Sequence, residues 1–350
     1  MELSTPGRIC LFGEHQDYLG LPVIPMAISL RARFIGENRS DRKFLINKPD
    51  LNEVDSFSLN DLTYSKPRDY FKSGLKVCIK EGLSFSTGVE CEITSQIPVK
   101  AGCGSSSAIM VGWIHFLSQM ADDLPNWDRQ KIGELAYKAE VREFGEPGGM
   151  MDQYSTALGD LIYIESEPEI LIKSLKPNLG TFVLGDSCEP KDTMGILQRC
   201  GDSRLAIVEK IKSQNSDFNL HNFELEEISW CDLNKDETTL LSGTMRNRDL
   251  LRKALPELKK AEPDHEKIGH LLSEHHTILR DVLKVSTPKI ETMLDAAMNA
   301  GALGGKINGS GGGGCMFAYA PDNQGEVVEA IKKAGGKAYT IHSDMGTRID

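Results

Sequence analysis

Apolar and polar positions change period several times along this chain. In "VIPMAISLRARFIG" an apolar run passes into alternation, so residues 1 to about 36 predict strand, turn, strand. "RFIGENRSDRKFLIN" predicts a hairpin turning at Asn38 to Asp41. "DYFKSGLKVCIKEG", residues 69–82, has the spacing of an amphipathic helix and stops at Gly82. "GVECEITSQIPV" predicts a strand, alternating in its first half. Two helices follow, from near Ser105 to about Met120 and over roughly 128–144. "EPGGMMDQYSTALGDLIYI" predicts loop, short helix and strand. Past "TFVLGDSC", a short buried strand, helical patterns fill much of 191–282. The glycine loop and apolar strand of "INGSGGGGCMFAYAP" then lead into a helix, a turn and a last strand. Strands and helices mix in both halves without strict β-α-β-α regularity. That predicts an α+β fold with domains 1–185 and 186–350.

Composition narrows the function. Of 350 residues, 40% are hydrophobic, and 51 acids against 40 bases give a net charge of −11. With no long basic run, a nucleic-acid partner is not expected. No apolar stretch is long enough to cross a bilayer, so no membrane role is expected. "MELSTPGRIC" lacks signal-peptide architecture, and the eight cysteines show neither C-x-x-C pairs nor zinc spacing. These features predict free thiols in the cytoplasm.

The junction "IPVKAGCGSSSAIMVGW" sets small residues between a strand-like run and a helix-like run. A helix N-terminus leaves N–H groups without intrahelical partners, and small side chains let an anion reach them. Serine hydroxyls add donors and Mg²⁺ ligands. The plain alternative is an N-capped helix. Walker A is absent, since "GALGGKI" has no Ser or Thr after Lys306. The dinucleotide fingerprint fails at Ser107, its third position. The run Gly309–Gly314, broken only by Ser310, carries a large ordering entropy. It is either a floppy surface loop or a backbone pressed against another backbone or a ligand. In "PGRICLFGEHQDYLG", Glu14, His15 and Asp17 form a dense polar set that is either a solvated turn or a set of partners for a polyhydroxylated ligand.

Taken in order, these stretches resemble the GHMP kinase superfamily, and within it the galactokinase-type sugar 1-kinases. "PGRICLFGEHQDYLG-LPVIPMAI" is similar to the N-terminal galactokinase signature. The serine-rich junction resembles the superfamily's phosphate loop, and "GSGGGGC" its third motif. "AEVREFGEPGGMMDQY" resembles the segment with the catalytic acid. The resemblance implies an N-terminal domain of the ribosomal-protein-S5-like kind and a ferredoxin-like C-terminal domain, with the site between them. It implies ATP and Mg²⁺ as cofactors and a small sugar as substrate. Asp152 matches the catalytic base and Arg8 its cationic partner. Glu14, His15, Asp17, Gly149 and Asp152 match substrate contacts. Gly102, Cys103, Gly104, Ser105, Ser106, Ser107 and Ala108 match the ATP phosphate cradle. Gly309, Ser310, Gly311, Gly312 and Gly313 match the third motif. Ser106 and Glu140 match the Mg²⁺ ligands, with Glu140 twelve residues before Asp152. On this reading, ATP should slow alkylation of Cys103.

The chain departs from the pattern at Lys100, at Gln16, and across "LGDSCEPKDTMGIL", where galactokinases supply a sugar-contacting tyrosine. Alternative acceptors are therefore another sugar, a hexuronate, for which Lys100 or Lys191 is a candidate contact, or a mevalonate-type alcohol. A second class is a sugar- and ATP-sensing regulator without turnover. "GDSCE" approaches the hydrolase G-x-S-x-G motif, but Glu189 replaces its last glycine.

Overall fold

The computed structural model describes residues 1–146, 148–190, 193–228 and 231–350; Lys191 lies outside them. The first sheet begins with β1 (Glu2–Phe12), β2 (Ile24–Asn38), β3 (Lys43–Lys48) and β4 (Glu53–Ser58). After helix α1 (Tyr70–Lys80) comes β5 (Val89–Ser95), then α2 (Ser105–Met120), α3 (Arg129–Glu140), α4 (Met151–Leu158), β6 (Leu161–Glu165) and β7 (Leu171–Leu175). A second unit contains β8 (Phe182–Asp186), α5 (Thr193–Gln214), α6 (Lys235–Leu258), α7 (His265–Asp281) and α8 (Pro288–Asn299). It continues through β9 (Gly304–Ile307), β10 (Cys315–Tyr319), α9 (Gln324–Lys333) and β11 (Lys337–Ile341). A short β12 (Arg348–Ile349) returns to pair with β1.

The first sheet runs β12-β1-β2-β5-β3-β4, with β6 and β7 branching from β2. All its pairings are antiparallel except β3 with β5. The second sheet, β11-β8-β10-β9, is wholly antiparallel. The fold is α+β, as the mixed patterning predicts.

Three expectations change. The hairpin at Asn38 to Asp41 does not form, because β5 inserts between β2 and β3 and pairs with both. The helix expected over 128–144 ends at Glu140, followed by a 3-10 turn over Arg142–Phe144 that Gly145 closes at φ 60°. The expected division at 185 falls inside β8, which pairs along its length in the second sheet. We propose the division between β7 and β8 instead.

Helix α2 is the central pillar. It is apolar almost all round, so it lies buried, with Trp113, Ile114 and Phe116 fully enclosed. Gly112 lets it press on β2, because a Cβ there would meet the Phe34 ring at 2.2 Å. One apolar core joins α2 and the first sheet to α6, α7 and the inner residues Phe317 and Tyr319 of β10. This shared core holds the two sheets together. Among the described residues no helix is long and apolar enough to cross a membrane.

Candidate active site

Strand β1 carries Arg8 inward, with 4% exposure. Its guanidinium grips Asp152 with two bonds, Nε to Oδ1 at 2.7 Å and NH2 to Oδ2 at 2.6 Å. This planar fork holds a carboxylate in both distance and orientation. NH1 donates to the Gly102 carbonyl, and the Arg8 backbone N–H donates to the Cys103 carbonyl at 2.9 Å. Burial works against the Arg8 charge, but Asp152 and Glu14 outweigh it and hold the guanidinium firmly protonated. Asp152 lies in the first turn of α4 and is about a quarter exposed.

The serine-rich junction meets this pair directly. Gly104 caps α2 at φ 69°, and no side chain caps the helix. A Cβ on Gly104 would lie 3.7 Å from Asp152 Oδ2 and 3.1 Å from the Arg8 side chain. The open N–H end of a 16-residue helix therefore sits beside the carboxylate. Within the segment the roles divide. Ser106 is exposed and donates to Glu140 Oε1 at 2.6 Å. Ser107 is buried and accepts from Gln153 Nε2 at 3.2 Å. The Ala108 N–H already bonds the Gly104 carbonyl inside the helix. Ser105 to Ser107 form the first turn of α2, which no side chain caps. The Cys103 thiol is fully buried against Asn308 Nδ2, so an alkylating reagent meets exposed Cys188 first.

Glu140 is buried and bonded by Ser106 and by Gln153 Nε2 at 2.7 Å; burial pushes its carboxyl up against those two bonds. Among the described residues no three His, Cys, Asp or Glu side chains are placed to hold a metal by themselves. The donor pair Ser106 and Glu140 still fits Mg²⁺, a hard cation that takes one or two carboxylates and completes its shell with phosphates and water.

The front cluster splits in two. Asp17 and Gly149 face each other, and a Cβ on Gly149 would overlap Asp17 Oδ2 at 2.0 Å. Together with Tyr18, Tyr137, Met151 and Ile164 they line a cavity of about 500 Å³. Burial, and then the charge of Asp152, push the Asp17 carboxyl up to about 6. Asp152, Glu14 and His15 are not in that lining. Glu14 is buried, and its Oε2 accepts from Lys306 Nζ at 2.8 Å and from the Gly309 N–H at 2.9 Å. His15 Nε2 lies 3.0 Å from the Ser310 carbonyl, which only accepts. Nε2 therefore carries the proton, and Nδ1 accepts the Tyr18 hydroxyl at 3.1 Å. Arg204 of α5 donates to that same hydroxyl.

The third motif packs backbone on backbone. A Cβ on Gly309 would lie 2.7 Å from the Gly102 carbonyl, and one on Gly314 2.6 Å from that of Ala101. Gly311 sits against Val285, whose carbonyl takes the Gly312 N–H at 2.7 Å, and a Cβ on Gly312 would meet the Ile196 side chain at 2.2 Å. Gly313, at φ 111°, sits against Glu189. Of the two readings of this run, close backbone approach is the observed one.

Sequence reasoning missed Lys306, Asn308, Gln153 and Arg204. Lys306 had a signal, a lone cation in the otherwise small and apolar "GGKI", but its partner lies 292 residues away.

The chain matches three family models. Residues 3–37 match the galactokinase galactose-binding signature, 69–160 the GHMP kinases N terminal domain, and 251–337 the GHMP kinases C terminal. A mevalonate kinase of Pyrococcus abyssi is 31% identical over 358 residues, 99% of this chain and 97% of that one. A galactokinase of Thermotoga petrophila is 29% identical over 364 residues, 98% of this chain and 97% of that one. Among solved structures, Lactococcus lactis galactokinase complexed with galactose superposes with a TM-score of 0.85 at 21% identity, covering 100% of this chain and 95% of that one. Methanococcus jannaschii mevalonate kinase gives 0.75 at 21% identity, with 98% of each covered.

Proposed function

The chain belongs to the GHMP kinases, and from that premise we propose that it transfers the γ-phosphoryl group of ATP to a hydroxyl of a small sugar, with galactose the first candidate and the anomeric hydroxyl the acceptor. One observation carries this reading: Asp152, forked by Arg8, lies beside the open end of α2 and near enough to Asp17 of the cavity for its charge to push that carboxyl up. Phosphoryl transfer needs mainly positioning and charge neutralisation. Asp152 orients the acceptor hydroxyl and takes its proton as the bond to phosphorus forms. Arg8 holds that carboxylate in place with its two-bond fork. The N–H groups of the α2 turn hold phosphate oxygens. Ser106 and Glu140 would hold Mg²⁺, which draws charge from the phosphates when bound.

A sugar acceptor is supported by the galactose-binding signature and by the charge of the cavity. Among the described residues, Asp17, Glu146 and Glu167 line it with Arg142 as the one cation, and Glu146 pairs with Arg68 outside it. Such a lining suits a neutral polyol better than a carboxylate. Mevalonate is the second reading, favoured by the 31% match across nearly the whole chain. The base assignment is tested by Asp152→Asn, which keeps the shape and removes the proton acceptor. Turnover should fall by about 10²–10⁴-fold, with ATP binding retained. Near-wild-type turnover would remove Asp152 from the chemistry.

A further inference from the structure

Asn308 follows β9 and is fully buried. Its amide is fixed from both ends. The Cys10 backbone N–H donates to Oδ1 at 2.9 Å, so the other end is the NH₂ group. That group donates to the Gly102 carbonyl at 2.9 Å. The same carbonyl accepts from Arg8 NH1. Asn308 thus fastens β1 two residues beyond Arg8 and, with its other end, the phosphate-loop carbonyl on which the Arg8 guanidinium rests.

We infer that Asn308 is a positioning residue for the Arg8–Asp152 pair, setting the plane of the guanidinium through the Gly102 carbonyl. This rests on Arg8 and Asp152 being the reacting pair. A carbonyl has two lone-pair sites, and here one takes the amide and the other the guanidinium. If the amide donor is lost, the loop carbonyl is free to rotate, and the third contact that holds Arg8 flat against Asp152 loosens. Small losses of alignment at a reacting pair reduce the rate far more than they reduce binding.

Asn308→Asp tests this, since it keeps the acceptor for Cys10 and replaces the donor with an oxygen that repels the Gly102 carbonyl. The expected result is a kcat lower by on the order of tenfold or more, with the acceptor KM within about twofold. Asn308→Thr, whose hydroxyl can still donate, should recover part of the loss and serves where the carboxylate variant does not fold. Combined with Arg8→Lys, Asn308→Asp should add almost nothing, because both changes act on one contact. Effects that multiply, or an unchanged kcat beside an inactive Asp152→Asn, would overturn the inference and leave the kinase reading intact. An active Asp152→Asn would instead remove the reacting pair itself. The Arg8 Nε–H proton resonance gives a readout independent of turnover: it should shift in Asn308→Asp and Asn308→Thr, and an unmoved signal would count against the relay.

Discussion

The two glycine-rich loops look alike as text and do opposite things as structure. "AGCGSSSA" leaves the first turn of α2 uncapped and open beside Asp152. "NGSGGGGC" instead turns its glycines onto the backbone of that first loop, at Ala101 and Gly102, and onto Val285. One loop leaves the N-terminal end of α2 without a side-chain cap, and the other braces that loop. Glycine content alone reports close approach, and only the neighbours reveal whether the approaching group is a ligand or the chain itself.

The largest effect expected from breaking the bracing side is at Lys306. Its ammonium is fully buried between the Cys10 carbonyl and Glu14. Lys306→Met leaves the Glu14 carboxylate buried without its cation, so denaturant unfolding should show a loss of about 3–5 kcal/mol. A loss below about 1 kcal/mol would mean that the Glu14 carboxylate is held by the Gly309 N–H rather than by the ion pair. Next comes Gly309→Ala. At φ 75° and 2.7 Å from the Gly102 carbonyl, the new methyl strains its own backbone and pushes the phosphate loop. Stability should fall by about 1–3 kcal/mol, and the KM for ATP should rise more than that for the sugar. A change in sugar KM alone would break the comparison, because the third motif would then face the acceptor.

The smallest effect sharpens the ligand-facing side. The Asp17 carboxyl stands at about 6, above the ordinary carboxylate value near 3.9. A raised carboxyl favours the folded state below the unfolded value, and that contribution is lost as pH rises through about 6. At pH 7.5 the ionised Asp17 is therefore a cost to stability. Asp17→Asn should raise Tm at pH 7.5 by about 2 °C and hardly change it at pH 4.5. The sugar KM of the wild type should climb as pH falls through about 6, and this climb should vanish in Asp17→Asn. An unaltered Tm and a flat KM profile would take Asp17 out of the acceptor site.

What was readable in the sequence followed contact range. The start of α2 at Ser105 was legible because the glycine–serine junction is a local signal. Arg8 and Asp152 are 144 residues apart, and resemblance rather than pattern suggested their pairing. The hairpin expectation failed because β5, some fifty residues further along the chain, pairs between β2 and β3, and no local pattern announces an inserted strand. Glu14 and His15 stood beside Asp17 in one polar turn. The reversal at His15, with φ 62°, sends their side chains to the third motif while Asp17 faces the cavity. Lys306 and Asn308 were hidden for the same reason, since their partners Glu14, Cys10 and Gly102 all lie more than 200 residues away.

The most direct test of the central proposal is ADP release from Mg²⁺-ATP with galactose and with mevalonate in parallel, using the wild type and Asp152→Asn. Sugar-dependent ADP release, abolished by Asp152→Asn and absent with mevalonate, is the predicted result. ADP release that depends on mevalonate and not on galactose would contradict the sugar assignment while leaving Asp152, Arg8 and the α2 cradle in place.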